Sequence, residues 1–323
     1  MKKIIIIMLA ALVLISCCAC KNETDKKSGL KIVASNFPGY DFAREIASDN
    51  AEITLLLSPG EESHSYEPTP KEIISILDCD VFICVGGESE SWLDGILDSV
   101  GSKDMNIVRM IDCTELIDEE LPYETQDEDG HEHDHDHGDG ENGDGVEKDE
   151  HVWTSPLNAI KICERIEGAI EKADPENKDV YKKNLLDYTE ELKSLDRDIK
   201  ETVSKGKTKT LVFGDRFPFA YFAKEYGLEC YAAFPGCSPE TEPSSKTVAF
   251  LIDEVKSKRL PAVLYLEMSS RKIADAICEA TGAVPLLFHS CHNVSKDELE
   301  SGQTYLSLMR KNLETLKTAL GAE

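Results

Sequence analysis

The chain has 323 residues, with 35 basic and 62 acidic side chains and a formal net charge of −27. This length is enough for two domains of ordinary size, and the acidic balance argues against nucleic acid or an anionic membrane surface as a partner. The excess acid is concentrated in one segment. Residues 115–150 hold 17 Asp or Glu against one lysine, a net charge of −16, so the rest of the chain is an ordinary acidic globular sequence.

The first sixteen residues have the pattern of a lipoprotein signal peptide. Lys2 and Lys3 precede an apolar core over residues 4–15, which is too short to span a bilayer, and Ser16 precedes Cys17. This pattern predicts export, removal of residues 1–16, lipidation of Cys17 and a polar tether over 17–29. The alternative is an ordinary secretory signal cleaved nearby. Either reading places the protein outside the cytoplasm, and the lipid would anchor it to the cell membrane.

The chain contains eleven cysteines, which is a high count. An exported protein can use some of them in disulfides. By spacing, Cys230 could pair with Cys237, and Cys278 with Cys291. No CxxC pair follows the export region, which argues against a thiolate zinc knuckle or a redox motif.

The predicted elements of the first half alternate between short β-rich runs and helical stretches. Strands are predicted at 31–35, 53–57, 81–85 and 106–111, and helices at 40–47, 70–77 and 92–100. This alternation favours a parallel sheet covered by helices. A His- and Asp-rich loop over 118–150 follows, and its composition is typical of a disordered connector.

The second half begins with helices and then returns to alternation. Helices are predicted at 156–173 and from Asp174-Pro175 to Gly206, followed by strands at 210–213, 229–233, 262–266 and 284–288 and a last helix at 305–320. We therefore expect an α/β fold of two lobes with parallel sheets, joined by one long rigid helix. The N-terminal lobe would cover 30–155, the linking helices 156–206 and the C-terminal lobe 207–323. Ligands bind at the carboxyl ends of strands in such sheets, so the two lobes would form a cleft.

Half of the eight histidines lie at the ends of predicted strands or in loops that rejoin them. They are His64, His151, His289 and His292. A single histidine in such a place is usually a surface or hydrogen-bonded residue, but their joint placement favours a metal site in the cleft. Neutral imidazole is a good ligand for zinc.

The chain from about residue 30 to its end resembles the metal-specific solute-binding lipoproteins of ABC transporters, the zinc- and manganese-uptake proteins that include ZnuA. The resemblance is carried by residues 63–70, by His151-Val-Trp153 with Pro156, by residues 221–228, by Leu266-Glu267, and by residues 302–306 with Asn312. It implies two α/β lobes bridged by a rigid helix, a metal held between the lobes and delivery of that metal to a membrane permease.

The resemblance also implies ligand positions. The first ligand corresponds to His64, the second to His151 and the fourth, usually a carboxylate, to His289. The third corresponds to Arg216, whose guanidinium stays protonated and cannot bind a metal. Three histidines thus remain as expected zinc ligands. The fourth partner could be water or one of four side chains, namely Glu62, Asp215, Glu267 and His292.

The cargo is expected to be zinc, because imidazole in place of a carboxylate favours zinc over manganese. Manganese, iron or a metal chelate are the alternatives, and a drifted site that binds something else is a further one. A second weak metal region is expected in the acidic loop, where histidines alternate with acids; they are His131, His133, His135 and His137. Zinc-type relatives often carry such a loop, and we expect it to be dispensable for tight binding.

The main expectation is a monomeric binding protein, not an enzyme. Three histidines and a water also suit a zinc hydrolase, but neither HExxH nor GxSxG occurs in the chain and no general base is singled out. A zinc-holding adhesin or chaperone without a transporter is a third reading. If the long helix is rigid, we expect metal binding to move loops rather than to close a wide hinge.

Overall fold

The N-terminal half of the molecule forms a four-stranded parallel sheet. The computed structural model describes residues 29–61, 66–100, 105–119, 147–236 and 242–322. In the N-terminal lobe the strands lie in the order β2-β1-β3-β4. The elements are β1 (Leu30–Ala34), α1 (Phe37–Ala47), β2 (Ala51–Leu55), α2 (Pro70–Asp78), β3 (Val81–Cys84), α3 (Trp92–Val100) and β4 (Asn106–Arg109).

The C-terminal half repeats this arrangement, with a parallel sheet in the order β6-β5-β7-β8. Its elements are β5 (Thr210–Phe217), α6 (Ala220–Tyr226), β6 (Glu229–Pro235), α7 (Ser245–Lys258), β7 (Ala262–Tyr265), α8 (Lys272–Thr281), β8 (Val284–Leu287), α9 (Lys296–Glu300) and α10 (Tyr305–Leu320). The prediction of two α/β lobes with parallel sheets is confirmed.

Two helices connect the lobes, α4 (Pro156–Ala173) and α5 (Lys178–Lys205). Helix α4 begins where the Ser155 hydroxyl caps the amide of Asn158, with proline in the first turn. Helix α5 has 28 residues and lies within the predicted range of 174–206. It packs on α1, α4 and α10. The rings of Phe42 and Tyr305 meet beside it at 4.9 Å. One apolar core therefore runs from the first sheet through the linking helices into the second.

Strand β5 extends four residues beyond its predicted end. A register shift between Phe213 and Arg216 interrupts its pairing with β6. Gly214 lies in this shift, and a Cβ there would approach the backbone of Ala274 in α8 to 2.6 Å. Only glycine permits this close contact. The extension brings Arg216 to the interlobe cleft and Asp215 to a neighbouring cavity of the C-terminal lobe.

The cysteines of the described ranges are free thiols. Neither Cys278 nor Cys291 forms a disulfide, so the pairing suggested by their spacing is wrong; Cys230 is free as well, and Cys237 lies outside the described residues. Six of these seven cysteines are buried, and Cys113 is partly exposed. None of the helices in the described part of the chain is both long and apolar enough to cross a membrane.

Candidate metal centre

A small cleft of about 70 Å³ opens between the lobes at the carboxyl ends of their strands. His151 and Glu61 reach it from the N-terminal side, and His292, Glu267 and Arg216 reach it from the C-terminal lobe. This edge is where open α/β sheets bind ligands, as the sequence predicted.

His151 is held at the point where the chain enters α4. Its side chain is only 2% exposed. Asp149 accepts a hydrogen bond from the His151 amide at 2.8 Å and lies 3.3 Å from its Nδ1. Burial lowers the pKa of His151, but Asp149, with smaller contributions from Glu119 and Glu150, raises it above its ordinary value. With Nδ1 facing a carboxylate, Nε2 is the nitrogen available to a metal.

His292 faces His151 across the cleft, with 5.6 Å between the ring centroids. Trp153 packs edge-on against both rings, at 5.5 Å from His151 and 4.9 Å from His292. The indole is itself fixed, because its Nε1 donates to the carbonyl of Ser290 at 3.0 Å. The structure thus brings two imidazoles from different lobes onto one buried aromatic side chain.

His289 lies in the wall behind the cleft and does not line it. Its Nδ1 accepts a hydrogen bond from the amide of Cys291 at 2.9 Å, and its Nε2 is 3.6 Å from a carboxylate oxygen of Glu298. The side chain of Asn312 accepts a hydrogen bond from the His289 amide and donates one to the His289 carbonyl, both at 2.7 Å. Burial lowers the pKa of His289, yet Glu267 and Glu298 raise it well above its ordinary value. Among the described residues the buried Nε2 of His289 has no hydrogen-bond partner, so this nitrogen is not committed to the protein.

The two other carboxylates considered as fourth ligands already bind protein groups. Asp215 accepts from the amides of Arg216 and Leu266 at 2.9 and 3.0 Å. Glu267 accepts from both the amide and the hydroxyl of Ser290, so it shapes the turn that leads to His292. Glu267 still lines the cleft, whereas Asp215 lines the neighbouring cavity of the C-terminal lobe.

Glu61 is a cleft residue that the sequence reasoning missed. It lines the cleft beside His292 and accepts a hydrogen bond from the amide of Ser58 at 3.2 Å. Its only sequence signal is its place in the loop after β2, three residues before His64. The sequence pattern pointed to its neighbour Glu62 instead.

Several predicted site residues lie outside the described ranges; they are Cys17, Glu62, His64, His131, His133, His135 and His137. Across the described ranges alone, no three side chains of His, Cys, Asp or Glu are grouped as a ready metal site. Within the described residues, the candidate metal centre therefore consists of two histidines, His151 and His292, with carboxylates in the same cleft.

The comparisons with known proteins agree with this architecture. Residues 32–319 match the ZnuA family, described as zinc-uptake complex component A, periplasmic. The zinc-binding lipoprotein AdcA of Streptococcus pneumoniae is 32% identical over 323 residues, covering 100% of this chain and 62% of the relative, so this chain spans less than two thirds of that protein.

The high-affinity zinc uptake system protein ZnuA of Bacillus subtilis is 34% identical over 311 residues, covering 94% of this chain and 93% of the relative. The crystal structure of the Zn(II)-bound ZnuA-like domain of the pneumococcal AdcA superposes with a TM-score of 0.72 at 29% identity, covering 90% of this chain and 99% of that one. Since the family match extends over most of the residues and both lobes share the fold, this chain belongs to the ZnuA family.

Proposed function

We propose that this protein is the extracytoplasmic zinc-binding component of an ABC-type uptake transporter, which holds the ion between its lobes and delivers it to a membrane permease. The observation that carries the proposal is the meeting of His151 and His292 in the interlobe cleft of a ZnuA-family fold. Relatives named as zinc-binding and zinc-uptake proteins support zinc as the cargo. A family of solute-binding components also favours binding without catalysis, as expected from the motifs.

The proposed ligands are His151 and His292, joined by His64 from the loop after β2. With Zn–N bonds of about 2.0–2.1 Å, two imidazoles on one tetrahedral ion have centroids about 5 Å apart, close to the 5.6 Å between these rings. Glu61 or a water would complete the shell. His289 stays a predicted ligand, but its contacts in the wall favour His292 for the C-terminal position.

Arg216 lines the cleft at the position where the family resemblance implies a third ligand. A guanidinium has five donors and no acceptor, so it cannot bind the ion. The acidic residues Glu61 and Glu267 line the same cleft. We assign it to the lobe interface and not to the metal shell.

The test is metal titration of the protein without residues 1–16, stripped of metal and compared with the His151→Ala, His292→Ala and His289→Ala variants. One tight zinc site is expected, preferred over manganese, with at least a hundredfold loss of affinity in the first two variants and a smaller loss in the third. Tight binding that needs His289 and ignores His292 would reverse the ligand assignment. Absence of a tight zinc site would refute zinc as the cargo.

The anchor and the acidic loop are part of the proposal. Lipidation of Cys17 after removal of residues 1–16 would hold the protein on the outer face of the cell membrane, and the lobes would fold from residue 30 onward. Cys17→Ser should release it from the membrane fraction. The histidines of residues 131–137 would bind zinc weakly and raise its local supply, so deletion of residues 127–147 should leave the tight site intact.

A further inference from the structure

The residue after His292 links the two lobes. Asn293 is 3% exposed, and its amide nitrogen donates to the carbonyls of Ser58 at 2.8 Å and Glu61 at 3.0 Å. Its own side-chain oxygen accepts from the amide of Val294 at 2.8 Å. Both N–H groups of one buried side chain in the C-terminal lobe are thus used to hold a loop of the N-terminal lobe.

Residues 58–61 of that loop form three hydrogen bonds with the C-terminal lobe. Besides the two bonds from Asn293, the amide of Gly60 donates to the carbonyl of Val294 at 2.9 Å. Glu61 and Ser58 also bond to each other, through a backbone hydrogen bond of 3.0 Å and a bond of 3.2 Å from the Ser58 amide to the Glu61 carboxylate. Gly60 has φ +83°, and a Cβ added there would meet no atom within 4 Å, so this side of the turn does not pack against the protein.

Metal-binding groups lie next to each end of this connection. His292 directly precedes Asn293, and Glu61 lines the same cleft. The carbonyl of His292 also accepts from the amide of Phe37 at the start of α1, at 3.3 Å. A change in the Asn293 bonds would therefore alter the distance between cleft groups that belong to different lobes.

We infer that Asn293 is a positioning residue that sets the spacing between the two halves of the metal centre and thereby controls the rate of zinc release. This inference rests on the proposed function. Groups that orient metal ligands typically change metal affinity 10- to 100-fold when removed. Because the loop can leave the ion only after these bonds open, we expect the change to appear mainly in the dissociation rate.

The test uses Asn293→Asp, which keeps the size of the side chain and the acceptor for Val294 but removes both N–H donors. The matched control is Asn184→Asp, since Asn184 donates a long-range bond to the carbonyl of Ile46 at 3.0 Å, on α5 and outside the cleft lining. Zinc release from the loaded full-length proteins into excess chelator is followed by stopped flow. Hydrogen exchange of the metal-free proteins is measured alongside.

The Asn293→Asp protein is expected to bind one zinc, to release it about 10- to 100-fold faster than the unchanged protein, and to exchange the amides of Gly60 and Glu61 faster. The control should release zinc at the unchanged rate. Equal release rates for Asn293→Asp and the unchanged protein would overturn the inference. Lack of zinc binding by the unchanged protein would instead refute the proposed function. Should the Asp variant not fold, Asn293→Ser, which keeps one donor, gives the same comparison with an intermediate rate.

Discussion

A methyl group at Gly236 would enter the metal centre beside His151. An added Cβ would lie 3.1 Å from Cε1 of His151 and 3.0 Å from the carbonyl of Phe217. The ring would have to shift by a few tenths of an ångström, which moves a proposed ligand away from its position in the cleft. We expect Gly236→Ala to weaken zinc binding about tenfold, equivalent to about 1.4 kcal/mol. Isothermal titration would measure it.

The control for this substitution is Gly168→Ala, because a Cβ at that exposed position of α4 meets nothing within 4 Å. It should leave zinc affinity unchanged and raise the free energy of unfolding by about 0.5–1 kcal/mol. Equal zinc affinities for the two alanine variants would show that Gly236 is not tight against the centre.

The carboxylate of Asp149 makes zinc binding depend on pH. It helps to raise the pKa of His151, so protons compete with zinc from above the ordinary histidine value of about 6.5. Zinc affinity should fall as the pH falls through this raised pKa. The stability of the metal-free protein has the opposite sign, since the contribution of protonated His151 is complete below about pH 6.5 and is lost as pH rises through the folded pKa.

In Asp149→Asn, burial is left as the main influence and the pKa of His151 should decrease. Imidazole resonances in an NMR titration of the metal-free protein would follow this change. A His151 pKa that is the same in both proteins would mean that the more distant acids Glu119 and Glu150, and not Asp149, set it.

At the scale of elements, α5 is the helix on which both lobes pack. Leu192 is completely buried in it, whereas Leu186 of the same helix is 66% exposed. Leu192→Ala should reduce the free energy of unfolding by about 2–5 kcal/mol, through lost burial and a cavity. Leu186→Ala should change it by no more than about 0.5 kcal/mol. Denaturant unfolding compares the two, and similar values would show that the helix does not share the core.

Most elements could be predicted because their apolar patterns decide them locally. The helices α4 and α10 have the predicted bounds, and the sheet strands match to within a few residues. The end of β5 could not be predicted in this way, since it depends on the contact of Gly214 with α8, which is distant in sequence.

The C-terminal metal ligand shows the same limit at a turn. The sequence suggested His289 because it directly follows a strand. Cys291, however, adopts φ +61°, a left-handed conformation that is uncommon for a residue other than glycine. This turn leaves His289 in the wall and places His292 in the cleft. No local sequence pattern predicts such a conformation at a cysteine, so the sequence alone could not show which of the two histidines lines the cleft.

At the scale of the whole molecule, the lobes are joined by more than the linking helices. Asp41 of α1 accepts from the amide of Tyr305 at 2.7 Å, and the hydroxyl of Tyr305 donates to the carbonyl of Trp153 at 2.6 Å. With one core extending through both lobes, wide hinge closure would break buried hydrogen bonds. We expect the metal-free and zinc-loaded proteins to have the same radius of gyration by X-ray scattering, because hinge closure would move one whole lobe toward the other. A clear difference would contradict a rigid bridge.

The free thiols of the described residues are potential competitors of the imidazoles for a metal ion. Thiolates bind zinc strongly, so reactive cysteines would offer the cargo a wrong destination. Burial raises the pKa of the Cys84 and Cys163 thiols well above the ordinary value, and that of Cys113 to about 11. At neutral pH these three sulfurs stay protonated. In the described ranges they therefore offer no thiolate to a metal, and imidazole nitrogen remains the chemistry proposed for holding the ion.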